Sequence, residues 1–171
     1  MTPASPVADL LERSNRLGAD RRNTNYAGGN TSAKGEVLDP VTLEPVELMW
    51  VKGSGGDLGT LTEAGLSALR LDRLRALVNV YPGIDREDEM VHAFTFCMHV
   101  TGGAAPSIDT AMHGLVERPH AEVLHDRREV LDGRQGLGGT GGTAFGLRPG
   151  LHLVVARLQL LEARAEGRLH L

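Results

Sequence analysis

Two short glycine-rich runs, Gly28-Gly29-Asn30-Thr31-Ser32 and Lys52-Gly53-Ser54-Gly55-Gly56, are the first places where this sequence could do chemistry. Glycine lets the chain fold back so that successive amides face one concavity, and such a nest of N–H groups holds phosphate oxygens. Asn30, Ser32 and Ser54 could add side-chain donors, Gly55 a main-chain donor and Lys52 a cation. Two surface turns are the plain alternative. Neither run is a P-loop, because G-x-x-x-x-G-K-[ST] is absent.

A third group, Pro106-Ser107-Ile108-Asp109-Thr110-Ala111-Met112-His113, sets a carboxylate and an imidazole four apart on one face of an expected helix. Asp109 and His113 could converge on one ligand or on each other. Ser107 would present its hydroxyl at the helix start, where free amides favour an anion; equally, Ser and Asp there serve as an ordinary cap and dipole partner. The fourth group is His120-Ala121-Glu122-Val123-Leu124-His125-Asp126. His125, at the end of an expected strand, could bind zinc while a carboxylate orients its second nitrogen. One histidine makes no metal site, and a surface or hydrogen-bonded His125 is the alternative. The G-x-G-x-x-G match from Gly136 to Gly141 is set aside, since Gly142, Gly146 and Pro149 exclude the helix that a dinucleotide fingerprint requires.

The elements that must position these groups can be read from patterning. Ser5-Pro6 starts a helix with Val7, Leu10, Leu11 and Leu17 on one face, and Gly18 supplies its stop. Residues 26–34 read as a tight loop leading into a short strand. Pro40 and Pro45 bracket a turn, and Glu47 to Lys52 is a β-prone run whose C-terminal end opens into the second glycine loop. Thr62 is a candidate cap for a helix turning Leu66, Leu69, Leu74 and Leu77 inward. A helix from Asp85 carries Met90, Val91, Phe94, Cys97 and Met98, and His92 and His99 are expected to be partly exposed on it. Another helix, from Ser107, turns Ile108, Met112, Leu115 and Val116 inward and ends before Pro119. Ala121 to His125 is a strand, and Leu151, Val154, Val155, Leu158 and Leu161 form a last amphipathic helix. The mixture is α/β or α+β.

The 171 residues, 41% apolar, are enough for one domain with a core and few for two. A net charge of -4 from interspersed acids and arginines gives no basic stripe, so nucleic acid and membrane surfaces are not expected partners. The lone Cys97 excludes an intramolecular disulfide and a cysteine zinc cluster, which suits a reducing, cytoplasmic setting. The N-terminus has no signal-peptide pattern and no apolar run reaches the roughly 18 residues of a membrane span. Eight glycines between Gly133 and Gly150 mark a change of composition, so residues 1–126 are taken as one unit and 127–171 as an atypical Gly-rich tail with one helix.

In order along the chain, Arg13-Ser14-Asn15-Arg16-Leu17-Gly18, Asn23-Thr24-Asn25-Tyr26, Gly28 to Gly35, Trp50-Val51-Lys52-Gly53-Ser54-Gly55-Gly56-Asp57-Leu58 and Ala105-Pro106-Ser107-Ile108-Asp109-Thr110 resemble the class II aldolase/adducin family. The resemblance covers residue 8 to about 125. It is nearest to the rhamnulose-1-phosphate aldolase half of bifunctional aldolase/short-chain dehydrogenase proteins. It implies a three-layer α/β/α domain around a largely antiparallel sheet, often assembled as a tetramer. By the same resemblance, Asn30, Ser32, Ser54, Gly55 and Ser107 bind the substrate phosphate, Asp109 is the acid/base carboxylate, His125 is a metal ligand and His113 supports the site from behind. The implied reaction uses Zn2+ to cleave or form a carbon–carbon bond with dihydroxyacetone phosphate, the partner sugar being a phosphorylated ketose.

The sequence departs from that pattern where the family has an H-x-H pair. Val123 stands at one position of the pair and His125 at the other, and His152 and His170 lie in a tail unlike the family. A domain short of its downstream strands, from a truncated or frame-disrupted product, is therefore expected. Two rivals stand beside it: an active aldolase whose metal is completed by His113, His120 or a histidine of another subunit, and a non-catalytic adducin-like interaction module.

Overall fold

A computed structural model describes residues 5–123 except 23, 25–27, 87 and 101. The first helix, α1 (Pro6–Ala19), begins at Ser5, whose backbone is extended but whose side chain makes no cap bond; Pro6 occupies the first helical position. Strands β1 (Asn30–Leu38), β2 (Pro45–Lys52) and β3 (Leu66–Arg70) are followed by α2 (Leu71–Ala76), α3 (Asp88–Thr95), α4 (Thr110–Leu115) and β4 (His120–Val123). The strands form one antiparallel sheet in the order β3-β2-β1-β4.

The sheet is covered on both faces, which makes three layers and bears out the expected fold class. Side chains alternate across a strand. On one face Met49, Val51 and Leu69 pack with Leu71, Leu74, Phe94 and Cys97; on the other Ala33, Leu66 and the partly buried Trp50 pack with Leu10, Leu58 and Leu61. At the β1–β2 turn Asp39 Oδ1 accepts from the amides of Val41 and Thr42, and Pro45 opens the return strand, as the bracketing prolines suggest.

Four expectations need correction. Residues 30–34 are strand, not loop: Asn30, Thr31 and Ser32 are buried and paired with β4, and Ser32 also opposes Val51 of β2. The helix expected after Thr62 is mostly β3, because Leu66 and Leu69 point to opposite faces, each into its own core cluster. Helix α4 starts three residues after Ser107, and its buried face is Thr110, His113 and Gly114 rather than Ile108, Met112, Leu115 and Val116. Gly18 does not stop α1, which runs on to Ala19. It permits a close approach instead: a Cβ there would stand 2.0 Å from the amide nitrogen of Gly59.

The unit boundary at 126/127, the Gly136 to Gly141 run, the helix from Leu151 to Leu161, and His125, His152 and His170 lie outside the described residues. Among those described, no helix is long and apolar enough to cross a membrane.

Candidate functional site

Asn30 joins the three chemistry-bearing segments. It stands first in β1, 1% exposed; its Nδ2 donates to Lys52 O at 3.3 Å and to Ser107 Oγ at 2.6 Å. One side-chain amide thus fastens the end of β2 to the segment before α4. The amide of Ser54 donates to Ala105 O at 3.0 Å, and that of Gly53 to Gly65 O at 2.9 Å. Gly53 is required there, since a Cβ would sit 2.2 Å from the Ala104 Cβ.

The outer half of the loop is open. Gly55 has φ +82 with nothing near its Cβ direction, and Ser54, Gly55 and Gly56 are exposed. Among the described residues the amides of Gly55 and Gly56 have no partner. One loop thus carries two amides without a described partner, the Ser54 hydroxyl and Lys52, whose Cε stands 4.0 Å from the Cβ direction of Gly56, a donor set suited to an anion. Lys52 is 3% exposed; burial pushes its pKa down, while the charges of Asp109 and Asp57 push the other way. Its Nζ donates to Gly53 O at 3.4 Å, which leaves N–H directions for a ligand. Ser107, 9% exposed, accepts from Asn30 and so keeps its O–H to donate.

Asp109 precedes α4 and is partly exposed; its side chain makes no cap bond. Its carbonyl accepts from the His113 amide at 3.2 Å, but the two side chains do not pair. His113 Nδ1 instead stands 2.9 Å from Ser32 Oγ, both groups buried. Burial first, and the charge of Lys34 second, push the His113 pKa down to about 4 from its ordinary 6.5, so the ring is neutral at pH 7. The amide of Thr110 is taken by Ser107 O at 3.1 Å. With six residues, α4 offers little dipole, and the anion set comes from the glycine loop rather than from the helix start.

Asn30 and Ser32 are buried in β1 and Ser107 is nearly so, Ser54 and Gly55 are exposed on the loop, and Asp109 is partly exposed ahead of α4. Sequence reasoning missed three features of the floor. Asn30 Oδ1, Thr110 Oγ1 and His113 Nε2 are buried without a partner among the described residues, an unusual concentration of unpaired polarity. Lys34 holds the chain after α4: its Nζ donates to Val116 O, and to Arg118 O at 2.9 Å. Arg13 donates to Ser32 O at 3.0 Å and pairs with Glu122 at 2.8 Å, tying α1 to β1 and β4. The signal for the first two was the period-two spacing Asn30, Ser32, Lys34, which puts all three side chains on one face of β1.

Metal donors are a separate matter. Among the described residues no group of three His, Cys, Asp or Glu is placed to hold an ion, so they do not by themselves fit the implied zinc. The partners around Asp109 and Lys52 suit an anion and a proton instead, and no step is derived through a metal.

No family model matches the chain. It is 40% identical over 119 residues to an uncharacterized oxidoreductase, YuxG, of Bacillus subtilis (strain 168), a match covering 70% of this chain and 17% of that protein. This chain therefore spans less than a fifth of that relative's length. Its structure is similar to the N-terminal class II aldolase domain of a conserved protein from Thermoplasma acidophilum, with a TM-score of 0.72 at 19% identity, covering 94% of this chain and 77% of that one. The fold is that of a class II aldolase domain.

Proposed function

We propose that the chain is an aldolase-type domain that holds a phosphorylated ketose, of the rhamnulose 1-phosphate kind, and makes or breaks its bond to a dihydroxyacetone phosphate half. The observation that carries this reading is the pair of bonds from Asn30 to Lys52 O and Ser107 Oγ, which brings an anion-binding loop beside a carboxylate. In this proposal the phosphate sits on the amides of Gly55 and Gly56, the hydroxyls of Ser54 and Ser107 and the Lys52 ammonium. Asn30 and Ser32 shape that set from beneath, since neither is accessible. In cleavage Asp109 takes the proton of the hydroxyl on the far carbon of the bond that breaks, which leaves as the aldehyde, and returns a proton to the carbon beside the carbonyl of the dihydroxyacetone phosphate half; in synthesis the two transfers run in reverse.

The zinc of the implied reaction is assigned to residues after Val123, His125 first. In support, Val123 pairs with Asn30, so β4 ends at this corner of the sheet. The word oxidoreductase in the relative's name belongs, on this reading, to the part of that protein outside the matched 17%.

The test is cleavage of rhamnulose 1-phosphate by the full chain supplied with zinc, with dihydroxyacetone phosphate as the measured product. Asp109→Asn is expected to lower the rate by about 10²–10⁴-fold with phosphate affinity kept. Cleavage undiminished in Asp109→Asn, or none by the zinc-supplied wild type, overturns the proposal.

A further inference from the structure

The chain has 18 basic side chains, of which only Lys34 and Lys52 are lysines, and both serve the α4 segment. Lys52 feels the charge of Asp109 just ahead of the helix. Lys34 works at the other end. Val116 caps α4 with an extended backbone, and the chain from Val116 to Pro119 must then reverse into β4 without regular structure of its own. Carbonyls past a helix C-terminus lack intrahelical partners. Lys34 takes three of them in that stretch: its ammonium donates to Val116 O and Arg118 O, and its amide to Pro119 O at 2.8 Å.

We propose that Lys34 is a positioning residue of the site, a latch that fixes both α4 and β4 against β1 and so sets where Ser107 and Asp109 face Lys52. Its neighbours on the same face of β1 act on the same segment, Asn30 through Ser107 Oγ and Ser32 through His113 Nδ1. Lys34 completes the row and alone contributes a charge to it.

Stability does not explain the choice of residue. The Lys34 side chain is half-buried, and burial, followed by the Arg75 charge, pushes its pKa down to about 8, with Glu47 opposing. The folded protein therefore disfavours the ammonium relative to the neutral amine. A half-buried charge kept against that cost, aimed at two carbonyls of one turn, serves geometry. The consequence for anion binding rests on the function proposed above, whereas the latch itself does not.

Native-state amide exchange on the full chain, wild type against Lys34→Met, tests it. Amides of residues 110–123 are expected to exchange about tenfold faster or more, while those of α1 stay within about twofold. A variant that lost only general stability would speed α1 as well. Lys34→Gln, which keeps a donor, should recover part of the protection and gives the same comparison if Lys34→Met does not fold. Unchanged exchange in 110–123, or acceleration matched in α1, overturns the latch. Inorganic phosphate titrated into the same samples separates the two ideas. Weaker phosphate binding in the variant supports both; local loosening in the variant, with no phosphate bound by the wild type, supports the latch and removes the function.

Discussion

The two sides of β1 solve the burial of polar groups differently. Toward α1, Ser14 gives its only hydroxyl hydrogen to Leu10 O at 2.5 Å, so Thr31 must donate across the 2.7 Å contact to Ser14 Oγ. Both hydroxyls are thereby used. Toward α4, Asn30, Ser32 and Lys34 also find partners, yet Asn30 Oδ1, Thr110 Oγ1 and His113 Nε2 have none among the described residues. On the α1 side Asn15 Oδ1 is in that condition too, while Arg13 Nε has the Glu122 carboxylate 2.8 Å away. Unpaired buried polar atoms lower stability, so their number on the α4 side, among the described residues, marks it as shaped by something other than stability.

The contrast can be broken most severely on the α1 side. Gly18→Ala would put a methyl 2.0 Å from backbone, where no flexible side chain can yield, and α1 would have to part from the Leu58–Thr60 turn. The expected loss is on the order of 3 kcal/mol, read from urea unfolding. A loss under about 1 kcal/mol would mean that this interface is loose, and the contrast would go with it.

An effect of comparable size belongs to His113. Its folded pKa of about 4 lies below the ordinary 6.5, so between these values the unfolded chain binds the proton first. Stability from this group is therefore complete above pH 6.5 and is lost as pH falls toward 4, by roughly 3 kcal/mol in all. His113→Gln should flatten that part of the stability profile. An unaltered slope in the variant would show that the ring is not sealed under the loop.

The smallest effects compare single hydroxyls. Ser14→Ala leaves Thr31 Oγ1 buried without its acceptor and should cost about 1–2 kcal/mol, whereas Thr110→Val removes a hydroxyl that has no partner among the described residues and should be neutral or stabilising by about 1 kcal/mol. Equal losses from both substitutions, by thermal or chemical unfolding, would erase the distinction between the two sides.

Legibility in the sequence followed the same division. The end of β2 breaking into Gly53 was plain, because β-prone residues give way abruptly to glycine. The strand β3 was hidden, because Leu66 and Leu69 at helical spacing imitate one helix face when each actually supplies a different layer. The buried face of α4 was hidden for a related reason: Thr110, His113 and Gly114 are small or polar, and apolar periodicity cannot mark them. Gly114 is needed because a Cβ there would stand 2.2 Å from Leu74 Cδ2, a packing fact without local signal. Asn30 and Ser32 looked like loop because polar residues rarely fill a buried strand; partners 77 and 81 positions away account for them. The convergence of the two glycine-bearing segments with Ser107 was legible from their types, although their depths were not.

The 77 positions between Asn30 and Ser107 bear on how the protein is born. Neither the loop nor the carboxylate corner can take shape on the ribosome until nearly the whole described chain has emerged, and closing so long an excursion is slow. During synthesis, hydroxyls and amides destined for the floor must stay hydrated until the final segment docks. A nascent chain stalled before residue 107 would hold every glycine of the loop and still lack the Ser107 hydroxyl that Asn30 fastens to it.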